Sequence, residues 1–338
     1  MSELPYAHGG PPLQGVMRAQ AEDFQVDEVL GFAADGSGEH ALLTVEKRGA
    51  NTEWVAQQIS RFACVPPMAV GFSGLKDRHA LTRQAFSVHL AGRKDPDWSA
   101  MPVQGVSVLA AARHSRKLKR GVHRANQFRI RLRDVCGDRA AAEHRLRQLR
   151  ELGAPNYFGI QRFGHGADNL RAARELFAGK RMGRSQRGFA LSAARSALFN
   201  AVLARRVVDQ TWNEALPGEV FMLAGTHSIF GPQTLDAQLL ERLQQHDIDP
   251  TGPMWGAGEL RTRDLVAELE RDAVLHDEDL AAGLAAAELR QERRSLRMMP
   301  VDLDAVWQDT DCLELRFTLP SGCFATSLIR EMGRFRES

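Results

Sequence analysis

Leu313, Leu315, Phe317 and Leu319 alternate with Glu314, Arg316 and Thr318, the side-chain period of two that marks a half-buried strand. This strand comes late in the chain, after a stretch at about 155–300 whose apolar spacing is helical. The residues ahead of that stretch read mostly as strands. A strand leaves its backbone groups unsatisfied unless it pairs, so the late strand is predicted to complete a sheet begun in the N-terminal part. The fold class that follows is α/β in the α+β sense: a mixed sheet with flanking helices from residues 1–154 plus 301–338, interrupted by a mostly helical inserted domain at 155–300. A length of 338 residues suits two domains at roughly 150 residues each.

The strand candidates of the first part are Phe24–Val29, Ala41–Val45, Val70–Ser73, Ala85–Leu90, Val106–Ala110 and Phe128–Arg133. The last is the clearest, with Phe128, Ile130 and Leu132 on one face and Arg129, Arg131 and Arg133 on the other. One helix interrupts them. Asn51 or Thr52 can cap it, Val55, Ile59 and Phe62 form its stripe, and Pro66-Pro67 stops it. Further helices are predicted at 140–152, from Asp168 or Asn169 to Phe177, from Ser192 to Val208, and at 235–245, 262–272 and 277–294. Thr326 can cap a last short helix.

Hydrophobic residues at 43% and charged residues at 25% support a folded core rather than disorder. Cys64, Cys136, Cys312 and Cys323 form no CxxC pair, so neither a disulfide framework nor a zinc site is expected. No apolar run reaches the ~18 residues of a membrane span, and residues 1–12 lack the pattern of a signal peptide. A cytoplasmic protein with reduced thiols is expected. The net charge of +2 hides an asymmetry. Arg113, Arg116, Lys117, Lys119, Arg120, Arg124, Arg129, Arg131 and Arg133 follow one another with no acid between them, and a second acid-free basic run lies between Glu175 and Asp209. Such blocks point to a polyanionic partner, with nucleic acid favoured over a merely solvated basic face.

Several short segments could carry chemistry. Asp77 lies in a polar segment between two apolar runs, flanked by Lys76 and Arg78, whose positive charge favours the carboxylate form. It could serve as nucleophile or proton acceptor; the plain alternative is a solvated turn. Asn126 can read a base edge or a ribose hydroxyl, and Phe128 can stack on a base, or the pair can be a turn and a core residue. Phe158 to Gly164 offers aromatics, glycines and Arg162 as a stacking and phosphate site, or as an inter-domain corner. Pro320 to Thr326 is a strand end leading into a helix start, which suits an anion or a simple cap. Arg18 alone means little. No GxxxxGK[ST], GxGxxG or HExxH pattern is present, so no nucleotide, dinucleotide or metal chemistry is indicated.

These segments, taken together and in order, resemble the tRNA pseudouridine synthase D (TruD) family. Ala21-Glu22-Asp23-Phe24-x-Val26 is similar to its PEDFxV opening, and Lys47-Arg48-Gly49-Ala50-Asn51-Thr52 to its KRGxNT segment. Gly74 to Gln84 resembles its GxKDxxAxTxQ motif, and Asn126-Gln127-Phe128 its NxF motif. Pro155 to Gly164 resembles its PNYFGxQRFG block, and Leu319 to Thr326 its LPxGxFAT segment. The departures are Ala21 in place of Pro, and Arg18 where bacterial members usually carry Lys, which keeps the charge.

The resemblance implies a pseudouridine-synthase catalytic domain, a family-specific inserted domain and RNA held between them. The implied reaction converts uridine to pseudouridine at position 13 of tRNA, without cofactor or metal, in a cytoplasmic enzyme acting as a monomer. It implies Asp77 as the catalytic residue, attacking C1′ or taking the 2′ proton. Arg18 would pair with Asp77, Phe128 would stack on the extruded base, Asn126 would hold a loop or polar edge, and Phe324 would close the pocket. Lys76, Arg78, Arg116, Lys117, Lys119, Arg120 and Arg162 would contact RNA. The alternatives are an RNA-binding protein or tRNA chaperone without turnover, against which the intact Asp77 speaks, and a methyltransferase, which would need a glycine-rich cofactor loop.

Overall fold

One long strand, Ala125–Gly137, organises the larger sheet of the computed structural model, which describes residues 4–337. The late strand Leu313–Pro320 pairs antiparallel along it, with Phe317 opposite Phe128 and Leu315 opposite Ile130. Phe24–Val29 pairs antiparallel with its other edge, and Leu13–Met17 takes over that edge toward Gly137. The sheet continues from Phe24–Val29 through Leu81–His89, a parallel neighbour, to His40–Arg48 and Val106–His114. Val301–Trp307 closes the far side, Val70–Phe72 pairs with Leu81–His89, and Gly333–Glu337 lies parallel to Leu13–Met17. The sheet is therefore mixed, and the late strand joins it as its alternation required.

This sheet belongs to one of two compact units, made of Pro12–Leu146, Pro300–Gly322 and the residues from Gly333 onward. Its core forms where Val55 and Ile59 of the helix Thr52–Phe62 meet Leu43, Val45, Phe86 and Val88 of the sheet. Each such side chain stabilises the fold by roughly 1.5–3 kcal/mol on burial. The short strands Leu13–Met17 and Gly333–Glu337 were not expected from sequence. Each has five residues and too little alternation to register.

The other unit comprises the residues up to Pro11, Arg147–Met299 and Cys323–Met332. The division falls inside the helix Arg139–Leu152, and both the N-terminal segment and the helix Ala325–Met332 go with Arg147–Met299. At its centre is the helix Arg184–Val208, against which Asp168–Phe177, Asp264–Ala273 and Glu278–Ala286 pack. The central helix begins eight residues before the expected Ser192 cap. Gly188 and a run of polar residues disguise its first two turns. The predicted helix over 277–294 ends at Ala286, because Glu292–Ser295 pairs as a strand with Thr251–Met254. That pairing is part of a small four-stranded sheet that helical periodicity concealed. Buried ion pairs fix the interior of this unit, Arg206 with Glu219 at 2.8 Å and Arg293 with Glu270 at 2.6 Å. No helix among the described residues is long and apolar enough to cross a membrane.

Candidate active site

Residues 74–80 form an irregular segment between the strands Val70–Phe72 and Leu81–His89. Asp77 sits at its middle with its side chain 37% exposed, which leaves the carboxylate open to a reactant. A nearly buried arginine reaches it from the side. Arg18 Nη2 donates to Asp77 Oδ2 at 2.8 Å, and Arg18 Nη1 donates to Glu337 Oε1. Charge-assisted bonds of this kind are about twice as strong as neutral ones and fix direction as well as distance. The arginine lies just past the strand Leu13–Met17 in the left-handed backbone region, at φ 63°. Non-glycine residues hold that conformation at a cost of about 1–3 kcal/mol, and such residues gather at functional sites.

The same guanidinium covers the Phe24 ring at 4.2 Å. Phe24 meets Phe128 edge-on, and Phe128 stacks on Phe317 with centroids 5.3 Å apart. Strand register explains this row: Val26 lies opposite Phe128, Phe24 opposite Ile130, and Phe317 opposite Phe128, so the rings share one face of the sheet. Phe128 remains partly exposed. Asn126, next along that face, is buried; its amide meets His123 Nε2 at 3.4 Å, and its Oδ1 has no hydrogen-bond partner. Burial and the nearby Lys76 ammonium hold the His123 imidazole below its ordinary pKa, which favours its neutral form.

Beneath Asp77 the loop is tied down by buried polar groups. The ammonium of Lys47 donates to the main-chain oxygens of Ala50 at 2.8 Å and Asp77 at 3.0 Å. Desolvation draws its pKa down to about 8, against the opposing attraction of Asp77. Lys76 turns inward. Its side chain is 6% exposed and pairs at 2.8 Å with Glu28, itself 1% exposed. Glu28 also accepts from the Ala85 amide and from the Ser73 hydroxyl. In this arrangement Lys76 is a tie within the fold, whereas Arg78 is exposed. A cleft of about 540 Å³ opens beside Asp77, lined among others by Asn51, Trp54, Gln57 and Leu75.

The expected RNA contacts Arg116, Lys117, Lys119 and Arg120 lie on the exposed loop 115–124. This loop abuts the Asp77 segment: Gly121 donates to the Ser73 carbonyl at 2.7 Å, and Arg120 lies over Phe72 at 5.6 Å. Gly71 makes the approach feasible, since a Cβ there would stand 2.5 Å from the Leu118 oxygen.

Phe324 and Arg162 belong to the other unit. There Arg162 and the half-buried Arg294 lie over the rings of Phe158 and Phe324, at 5.2 and 5.7 Å for Arg162 and 4.2 and 6.0 Å for Arg294. Burial lowers the pKa of both arginines, that of Arg294 to about 10. Sequence reasoning named neither Arg294, Glu28 and Glu337 nor the buried position of Lys47. For Lys47 a signal existed: it continues the buried phase Ala41, Leu43, Val45 of its strand. Among the described residues no cluster of three or more His, Cys, Asp or Glu could hold a metal ion.

A family model described as tRNA pseudouridine synthase D (TruD) matches residues 2–180 and 171–332. A tRNA pseudouridine synthase D of Xanthomonas campestris pv. campestris (strain 8004) is 46% identical over 345 residues, covering 98% of this chain and 94% of its own. One from Methylococcus capsulatus is 45% identical over 335 residues, covering 98% and 95%. The fold is shared with the crystal structure of a Methanosarcina mazei protein assigned as tRNA pseudouridine synthase D, with a TM-score of 0.70 at 19% identity over 97% of this chain and 95% of that one.

Proposed function

The chain belongs to the tRNA pseudouridine synthase D family, and on that premise we propose that it isomerises uridine to pseudouridine at position 13 of tRNA, with Asp77 as the reacting carboxylate. The observation that carries the reading is a partly exposed acid that lines a cleft while a buried arginine pairs with its carboxylate. In the reaction the N1–C1′ bond breaks, the uracil turns, C5 bonds to C1′, the C5 proton leaves and N1 gains one. Atoms and electrons balance within the nucleotide, so the chemistry calls for no cofactor and no metal. Asp77 begins it by attacking C1′ or by taking the 2′ proton, which gives a glycal.

Arg18 orients the carboxylate, and Phe128 offers a partly exposed ring for a base that must leave its stack to be reached. Arg116, Lys117, Lys119, Arg120 and Arg78 supply phosphate contacts around the loop. In the other unit Phe324 and Arg162 provide a ring and a cation of the kind that close on a base and a phosphate, and Asn126 keeps a bare carbonyl oxygen for a polar edge. The sheet-bearing unit is the catalytic domain in this reading and the helical unit the family-specific one. The enzyme works as a monomer in the cytoplasm. Incubation with unmodified tRNA, followed by mapping of pseudouridine, tests this. Modification at position 13 is expected. Modification elsewhere would move the substrate, and none at any position would sink the assignment.

A further inference from the structure

The strand His40–Arg48 sends Ala41, Leu43, Val45 and Lys47 to its buried face, and Lys47 is 0% exposed. An apolar residue would continue the core there at no desolvation cost, whereas burying an ammonium costs several kcal/mol unless it is well paired. Its three donors have only main-chain acceptors: the oxygens of Ala50 at 2.8 Å, Asp77 at 3.0 Å and Lys76 at 3.5 Å. Among the described residues no carboxylate lies within 4.0 Å of it. The Lys76 and Asp77 carbonyls are the two peptide oxygens on either side of the Asp77 Cα. A cation that grips both fixes where that Cα stands.

We propose that Lys47 is a positioning residue for Asp77, clamping the reacting residue's backbone and adding a second positive charge, besides Arg18, near it. This rests on the reading of Asp77 as the reacting acid. The charged groups facing Lys47 are Asp77, which favours its protonated form, and Lys76, which opposes it. Lys76 is itself held away by Glu28.

Two consequences follow from a Lys47 pKa near 8, well below its ordinary 10.5. As pH rises through about 8 the clamp loses its charge, and the rate of pseudouridine formation falls. Over the same range the folded state binds fewer protons than the unfolded chain, so the fold gains stability as pH rises from about 8 to about 10.5. A merely structural lysine would not make activity fall while stability increased.

The decisive experiment compares single-turnover rates, tRNA affinity and thermal stability of wild type, Lys47→Gln and Lys47→Arg between pH 6 and pH 9. Lys47→Gln keeps two N–H donors but no charge. Its rate at pH 7 is expected to drop about 10–100-fold, as for lost support of a reacting group, with tRNA affinity within about twofold (~0.4 kcal/mol by the affinity relation). The wild-type fall near pH 8 should vanish from its profile, and Lys47→Arg should recover part of the rate and keep it above pH 8. A Lys47→Gln rate close to wild type, or an unchanged fall near pH 8 in that variant, would overturn the proposal. If Lys47→Gln does not fold, a wild-type rate that stays flat from pH 7 to pH 9 overturns it alone. Asp77→Asn separates the two claims: an active Asp77→Asn removes the premise, whereas an inactive one beside a normal Lys47→Gln removes only the clamp.

Discussion

Two arginine-rich segments adjoin in the chain and do opposite things. On the strand Ala125–Gly137, Arg129 and Arg131 converge with Arg316 on one buried carboxylate, Glu314, at 2.9, 3.2 and 2.6 Å. Arg133 forms a two-bond fork with the fully buried Asp23. On the preceding loop 115–124, no carboxylate pairs with Arg116, Lys119 or Arg124 among the described residues, and the one pair there, Arg120 with Glu53 at 3.3 Å, is exposed on both sides. Cation counts along a sequence treat all of these alike. The register of the sheet does not, because it sets Glu314 opposite Arg131 and Arg316 opposite Arg129. Charge that a strand places beside a buried acid holds the sheet together; charge left on a loop stays available to a polyanion.

The contrast breaks or sharpens under substitution. Replacing Arg116, Lys117, Lys119 and Arg120 together by Ala should weaken tRNA binding by roughly 100-fold at physiological salt and flatten the salt dependence, each lost phosphate contact lowering the slope by about 0.7–0.9. Thermal stability should stay near wild type. Arg129→Ala with Arg131→Ala should do the reverse, and equal losses of tRNA affinity in the two variants would erase the distinction. Arg133→Met should destabilise the fold by about 2–3 kcal/mol in urea unfolding, below the full cost of stranding a buried charge because Arg133 itself is partly exposed.

The smallest effect concerns pH. Burial pushes the Glu314 carboxyl up, but hydrogen bonds from Arg129, Arg316 and Arg131 outweigh it and leave its pKa below 4.5. A depressed carboxylate contributes stability that is present above its unfolded pKa and lost as pH falls through the folded one. Glu314→Gln should therefore narrow the stability difference between pH 6 and pH 3. An identical difference in wild type and variant would contradict the role of Glu314.

The sheet was legible where strands alternate. Phe24–Val29 and Phe128–Leu132 needed nothing beyond a period of two. It was illegible where pairing overrode local pattern: Ile248–Met254 carries Pro250 and Pro253 yet pairs on both edges, and Glu292–Ser295 reads as helix until Thr251–Met254 claims it. For the site, the Asp77 segment could be named from the chain and Arg18 only through the family resemblance, and the second acid on Arg18 by neither. Glu337 lies 319 residues away and meets Arg18 only because Gly333–Glu337 runs parallel to Leu13–Met17. Lys76 looked like an outward cation because it sits beside the charged Asp77 and Arg78, and the buried Glu28 that turns it inward lies 48 residues earlier.

The central claim concerns one carboxylate, and Asp77→Asn tests it while leaving size and shape unchanged. The measurement is single-turnover pseudouridine formation on unmodified tRNA, made alongside tRNA binding by the same protein. The account predicts loss of at least about 10³-fold in rate, the scale for removing a group that takes part in the reaction, with binding within about threefold. Pseudouridine formed by Asp77→Asn at a rate near wild type would contradict it.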